Sequence, residues 1–144
     1  MTKLQLEAFL PYRLNRIAAV MSQDFRSVYG PHHDLTIPEW RVLATLGQFK
    51  AMSAKDIGRH SAMHKTKVSR AVRALEERRW LRRHPSEEDR REEILTLTGH
   101  GYKAYRQIVP NALAFEKRII DQLGHNAGPF LKALERFEEI VNPR

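Results

Sequence analysis

The sequence predicts a mainly α-helical protein with one small β-hairpin. Three observations lead there. Most apolar residues recur at steps of three and four, the helical period. One segment around residue 95 alternates every second residue instead, the strand period. Gly, Pro and short polar residues fall between these runs, where helices and strands need ends. With 144 residues, 42% hydrophobic and 29% charged, the chain can bury a core of its own and is not composed like a disordered one.

The first helix carries Leu10, Leu14, Ile17, Met21, Phe25 and Val28 along one stripe. Pro11 fits its first turn, where no N–H partner is needed. Gly30-Pro31 is expected to stop it, leaving a loop from Gly30 to Leu35 that holds His32, His33 and Asp34. Thr36-Ile-Pro-Glu39 reads as a capping box. The helix it opens is expected to bury Trp40, Leu43, Ala44 and Leu46 and to end near Gly47. Ser53-Ala-Lys-Asp56 opens a short helix running to about His60, and Ser61-Ala-Met63 turns tightly.

A fourth helix follows from Lys65 to about Arg79, with His64 as its N-cap or first residue. Trp80 to His84 and Glu92 to Leu97 read as two short strands around an exposed tip, Pro85 to Arg91. Thr98 with Gly99 and Gly101 caps a long helix through Tyr102, Ile108 and Ile119, which Gly124 ends. Asn126 is expected to cap a last helix bearing Phe130, Leu131, Leu134, Phe137, Ile140 and Val141.

Charge singles out the middle of the chain. The net charge is +8, divided as +2 over residues 1–54, +6 over 55–91 and zero over 92–144. A localised cationic patch points to a polyanionic partner, nucleic acid first. On a helical wheel of the fourth helix, Val68, Ala71, Val72 and Leu75 share one arc. Lys65, Thr66, Ser69, Arg70 and Arg73 share the opposite arc, with no carboxylate among them. A merely solvated face would mix the signs.

A short helix and a tight turn before such a helix form the helix-turn-helix pattern, and the hairpin after it is a wing. The fourth helix would then enter the major groove of duplex DNA with Lys65, Thr66, Lys67, Ser69, Arg70 and Arg73. Arg suits guanine, and Thr or Ser suits several base edges. Arg90 and Arg91 at the tip suit a narrow minor groove. Lys55, Arg59, Arg82 and Arg83 are candidate phosphate ligands.

Four segments carry a further likeness: Leu35-Thr-Ile-Pro-Glu-Trp-Arg-Val-Leu43, Val68-Ser-Arg-Ala-Val-Arg-Ala-Leu-Glu76, Asp89-Arg-Arg91 and Leu97-Thr-Gly-His-Gly101. In this order and spacing they resemble the MarR family of winged helix-turn-helix transcription regulators, over about residues 4 to 141. The resemblance implies a homodimeric repressor of a near-palindromic operator, released by a small-molecule effector. It implies a dimerisation helix over 1–34, a DNA-binding lobe over 35–99 and C-terminal dimerisation helices over 100–144. Ser69-Arg70 matches the family's Ser/Thr-Arg pair on the recognition helix. Asp89-Arg90-Arg91 matches the Asp-x-Arg of the wing, where Arg91 looks like the minor-groove residue and Asp89 its ion-pair partner.

The chain departs from the family in two places. Arg79-Trp80-Leu81 stands where members often have Gly after the recognition helix, and His64 stands where Asp or Asn is common. In the family the effector pocket lies between the dimer region and the DNA-binding lobe, which makes Tyr12, Arg13, Arg16, Trp40 and Arg41 its candidate lining. The local pattern looks like members that regulate aromatic-acid catabolism, so an aromatic acid or its thioester is the implied ligand class.

Other classes fit less well. With no cysteine, the chain has no disulfide and no thiolate metal site. His32-His33-Asp34 is read as a loop, not a metal site, and no cofactor is expected. No arrangement of nucleophile, acid and base marks an enzyme. No run longer than Gln122 to Leu131 lacks charge, so neither a membrane span nor a signal peptide is expected, and the protein is placed in the cytoplasm. A winged-helix adaptor binding an acidic protein is the second reading. An RNA reader is third, because the basic face lacks stacking aromatics.

Overall fold

Helix α1 spans Leu10–His33 in the computed structural model, which describes residues 1–89 and 91–142. It does not stop at Gly30-Pro31 as the sequence predicts. A proline clashes with the Cβ and N–H of the residue before it, and Gly30 has no Cβ. The helix therefore runs on to Asp34, whose φ of 51° ends it and whose N–H returns to the Gly30 carbonyl. The predicted loop shrinks accordingly.

Helix α2 (Ile37–Phe49) starts at the capping box. The Thr36 hydroxyl accepts from the Glu39 N–H at 3.3 Å and donates to the Glu39 carboxylate at 2.7 Å. The helix continues past Gly47, because that glycine serves packing: a Cβ there would strike the ring of Tyr105. Val42, Leu43, Thr45 and Leu46 are buried, while Trp40 and Ala44 are half-buried. The Thr45 hydroxyl is satisfied by the Arg41 carbonyl at 2.7 Å, so a polar residue is tolerated there.

Strand β1 (Ala51–Ser53) was not legible beforehand. It pairs antiparallel with β3 (Glu93–Leu97), which also pairs with β2 (Leu81–Pro85), giving the order β1-β3-β2. Three residues show no readable alternation, and Ser53 also caps α3 (Ala54–Ser61) by accepting from the Asp56 N–H. Helix α4 spans Lys65–Glu77 and α5 spans Gly99–Leu123. The core is built from Leu35, Val42, Leu43, Leu46, Ile57, Val68, Val72, Leu75, Leu81, Leu95 and Ile108.

The chain divides into two compact units, Met1–Val109 and the segment from Pro110 onward. The second holds the end of α5, a 3₁₀ turn (Gly124–Asn126) and α6 (Ala127–Val141). Gly124 ends α5 with a φ of 57°. Asn126 does not cap α6: its backbone is already helical, whereas a side-chain N-cap needs an extended one.

The apolar stripes of the first and last helices are real but largely uncovered. Tyr29 is buried, yet Leu10, Leu14, Ile17 and Met21 on α1 are exposed. Phe130, Leu131, Leu134, Ile140 and Val141 on α6 are exposed too, and no described residue of α6 is buried.

Two backbone positions give stability predictions. Arg79 has a φ of 63°, the left-handed region that disfavours a side chain by about 1–2 kcal/mol. Arg79→Gly is expected to raise the unfolding free energy by up to about 1 kcal/mol in urea titration. A Cβ at Gly101 would meet the Trp80 carbonyl oxygen, a backbone atom with little freedom. Gly101→Ala is expected to lower stability by about 1–3 kcal/mol in the same measurement.

Candidate nucleic-acid interface

The turn between α3 and α4 is fastened from within. Ile57, Met63 and Val68 are buried around it, and Ala62 takes a φ of 54° to make the corner. The Met63 N–H returns to the Gly58 carbonyl at 3.0 Å. His64 is the N-cap of α4, its Nδ1 accepting from the Thr66 N–H at 3.3 Å. Only an unprotonated Nδ1 can accept, so the cap needs a neutral ring.

Helix α4 buries Val68, Ala71, Val72 and Leu75, as its sequence predicts. Lys65, Thr66, Lys67, Ser69, Arg70 and Arg73 are all exposed. Among the described residues, Lys65, Lys67 and Arg70 have no ion-pair partner. Arg73 lies 3.5 Å from Glu77 in a solvent-exposed pair, which holds it weakly. On α3, Lys55 is exposed and Arg59 sits 3.9 Å from Asp56.

The wing separates two residues that the sequence treats alike. Side chains alternate across a strand, so Arg82 and Arg83 point to opposite faces. Arg83 shares the face of Leu81 and Leu95, where Leu95 is its partner across the ladder. It reaches the Glu76 carboxylate of α4 at 3.1 Å and Glu93 at 3.8 Å. Arg82 is on the other face, exposed and outside every ion pair of the described residues. His84, on that same face, bonds the Thr96 hydroxyl at 2.8 Å.

At the wing tip, the Asp89 N–H donates to the Ser86 hydroxyl, and the Asp89 carboxylate accepts from the Arg91 main-chain N–H at 2.9 Å. No ion pair joins the Asp89 and Arg91 side chains among the described residues. Asp89 thus shapes the main chain at Arg91, in the manner of an Asx turn, and leaves the guanidinium exposed. Arg90 lies outside the described residues.

The five candidate effector-pocket residues fall into two groups. Tyr12, Arg13 and Arg16 line an open groove of about 370 Å³ with Glu7, Ile17, Val20 and Met21. Trp40 lies edge-on to Phe25 at 5.4 Å and tilted against Tyr29 at 5.6 Å. Arg41 donates to the Ser22 hydroxyl at 3.2 Å. Neither Trp40 nor Arg41 lines that groove. Tyr29, which the sequence did not single out, is 1% exposed, and its hydroxyl has no hydrogen-bond partner among the described residues. Burial pushes its pKa up to about 12, against the pull of Arg26 and Arg41.

Arg78 was also missed. It donates to the His33 carbonyl at 2.6 Å and the Asp34 carbonyl at 2.5 Å, and lies 4.9 Å above the Trp80 ring. Nothing in a basic run distinguishes such a residue, since the carbonyls it binds lie more than forty positions away. Among the described residues no cluster of three or more His, Asp or Glu could hold a metal ion, and no helix is long and apolar enough to cross a membrane.

Comparison with known proteins adds to this geometry. The MarR family model matches residues 33–92. The helix-turn-helix-type transcriptional regulator YwoH of Bacillus subtilis (strain 168) is 28% identical over 111 residues, covering 77% of this chain and 80% of that protein. A MarR family regulator from Silicibacter pomeroyi DSS-3 superposes with a TM-score of 0.82 at 23% identity, covering 97% of this chain and 100% of the other. BpsR of Bordetella bronchiseptica, whose DNA binding is regulated by 6-hydroxynicotinic acid, gives 0.80 at 20% identity, covering 99% and 100%. NadR, solved in complex with 4-hydroxyphenylacetate, gives 0.79 at 20% identity and full coverage of both chains.

The two faces of β2 predict different outcomes on duplex DNA. Arg82→Ala is expected to reduce the slope of log affinity against log salt by about one, the loss of one phosphate contact. Arg83→Ala, already paired with carboxylates, is expected to leave that slope unchanged and to lower stability by at most about 1 kcal/mol. Titrations at several salt concentrations with a parallel thermal melt distinguish the two.

Proposed function

Because residues 33–92 match the MarR family model, we propose that the chain is a winged-helix transcriptional regulator of that family, a homodimeric repressor that binds a near-palindromic operator and is released by a small aromatic acid or its thioester. The observation that carries the DNA-binding part is the outer face of α4. Six polar or cationic side chains are exposed between positions 65 and 73 on a helix whose other face is anchored in the core. Among the described residues, ion pairing engages one of these cations, Arg73.

In this reading α4 lies in the major groove. Arg70 makes a bidentate contact to a guanine, Ser69 and Thr66 meet neighbouring base edges, and Lys65, Lys67 and Arg73 add positive charge. Arg91 enters the minor groove from a tip whose main chain Asp89 shapes. Lys55, Arg59 and Arg82 hold phosphates, while Arg83 braces the wing against α4. Repression follows if the bound dimer excludes the transcription machinery from overlapping DNA.

The uncovered stripes on α1 and α6 support the homodimer. Exposed apolar side chains at helical spacing are what an oligomer interface buries. Two recognition helices would then read half-sites about one turn, roughly 10 bp, apart. The effector class rests on the hydroxylated aromatic acids named for the two structural neighbours. The groove at Tyr12, Arg13 and Arg16 supports it with an aromatic ring beside two guanidinium groups, which suit a carboxylate.

Selection of duplexes from genomic fragments is expected to enrich a near-palindrome whose binding weakens steeply with salt. Arg70→Ala is expected to cost about 1–3 kcal/mol and to relax preference at one position per half-site. Recovery of no enriched sequence would contradict the regulator. In a thermal-shift screen, hydroxylated aromatic acids are expected to raise the melting temperature and release DNA, and Arg13→Ala with Arg16→Ala to abolish both. A uniform lack of response would remove the effector assignment and leave DNA binding standing.

A further inference from the structure

We infer that Arg78 is a positioning residue that fixes the angle between α1 and α4, and so sets the half-site spacing the protein accepts on DNA. The inference rests on the dimeric DNA-binding reading above. Its chemistry starts at the C-terminal end of α1. The last carbonyls of a helix lack intrahelical donors and carry the negative end of its dipole. Two adjacent carbonyls at that end, of His33 and Asp34, accept from the two terminal nitrogens of the Arg78 guanidinium.

The same residue closes α4. Arg78 is the C-cap of that helix, and its own N–H returns to the Ala74 carbonyl. One residue therefore terminates the recognition helix with its backbone and the first helix with its side chain. Three neighbours hold the fork in place. The Glu39 carboxylate stands 3.9 Å away at the start of α2, and the Trp80 ring lies beneath the guanidinium. His33 in turn sits edge-on to Trp80, at 6.2 Å between ring centroids.

Arg41 donates to the Ser22 hydroxyl and Arg26 to the Leu35 carbonyl, one bond each; what the Arg78 junction adds is a two-pronged hold on adjacent carbonyls that links α1 directly to α4. The other contacts between α1 and its lobe include the packing of Phe25 and Tyr29 on Trp40. Apolar packing of this kind tolerates sliding more readily than a planar fork on two fixed carbonyls. The lever arm is long: α1 has 24 residues. At about 1.5 Å per residue that is roughly 36 Å, so a 10° change in angle moves its far end by about 6 Å. That is close to two base-pair rises of about 3.4 Å. In a dimer held through the outer part of α1, a small change at Arg78 becomes a change in the separation of the two recognition helices.

The test uses the full-length protein and operator variants whose half-sites are moved apart or together in single base-pair steps. Wild type is expected to bind one spacing best and to lose about tenfold or more when it changes by two base pairs. Arg78→Met keeps bulk over Trp80 and removes the fork. It is expected to flatten the profile to within about threefold while binding to an isolated half-site stays unchanged. Arg78→Lys keeps the charge without the fork and is expected to broaden the profile less, which maintains the test if the Met variant does not fold. A variant with the wild-type spacing profile, weaker overall or less heat-stable, would overturn the inference and make Arg78 a stability residue only. Failure of wild type to bind any DNA would instead overturn the reading on which it rests.

Discussion

A helix that must offer one face to another molecule can be anchored only through the other. In α4 that anchorage falls to Val68, Ala71, Val72 and Leu75, all buried. Burying a Val or Leu side chain contributes roughly 1.5–3 kcal/mol, so these few residues can hold the helix without help from its exposed side. Much of the lobe serves the same end. α2 and α3 supply the apolar surface beneath α4, His64 and Arg78 close its two ends, and Arg83 ties its last turn to the wing. Freed from structural duty, Lys65, Lys67 and Arg70 are exposed and without an ion pair among the described residues.

Features set by neighbouring residues could be read from the sequence. The caps at Thr36 and Ser53 need only a hydroxyl and an N–H three residues on, and both bonds are present. The α4 pattern needs only the helical period. Features set by distant residues could not be read. Gly47 looks like a helix end but makes room for Tyr105. β1 exists because β3 offers it a pairing edge. Gly30-Pro31 looks like a stop, yet Gly30 lacks the Cβ that a following proline would clash with, and the helix runs on to His33.

The site shows the same division. That α4 presents cations was legible, but the roles of individual arginines were not. Arg82 and Arg83 are adjacent in sequence and opposite in space, and Asp89 engages a main-chain N–H rather than a guanidinium. The residues grouped as one effector pocket separate into a groove near Arg13 and an aromatic cluster around Tyr29. The stripes on α1 and α6 teach a different lesson. Their periodicity correctly gave helices, but their burial is not achieved within the described chain, which is why the dimer is proposed through them.

The central claim is that two copies of α4 engage DNA together. Hydroxyl-radical footprinting on a duplex selected by the protein tests it most directly. The predicted result is a pair of symmetry-related protected patches about one helical turn apart, on one face of the duplex, with further protection in the flanking minor grooves. A single asymmetric patch, or uniform protection without a repeat, would contradict it.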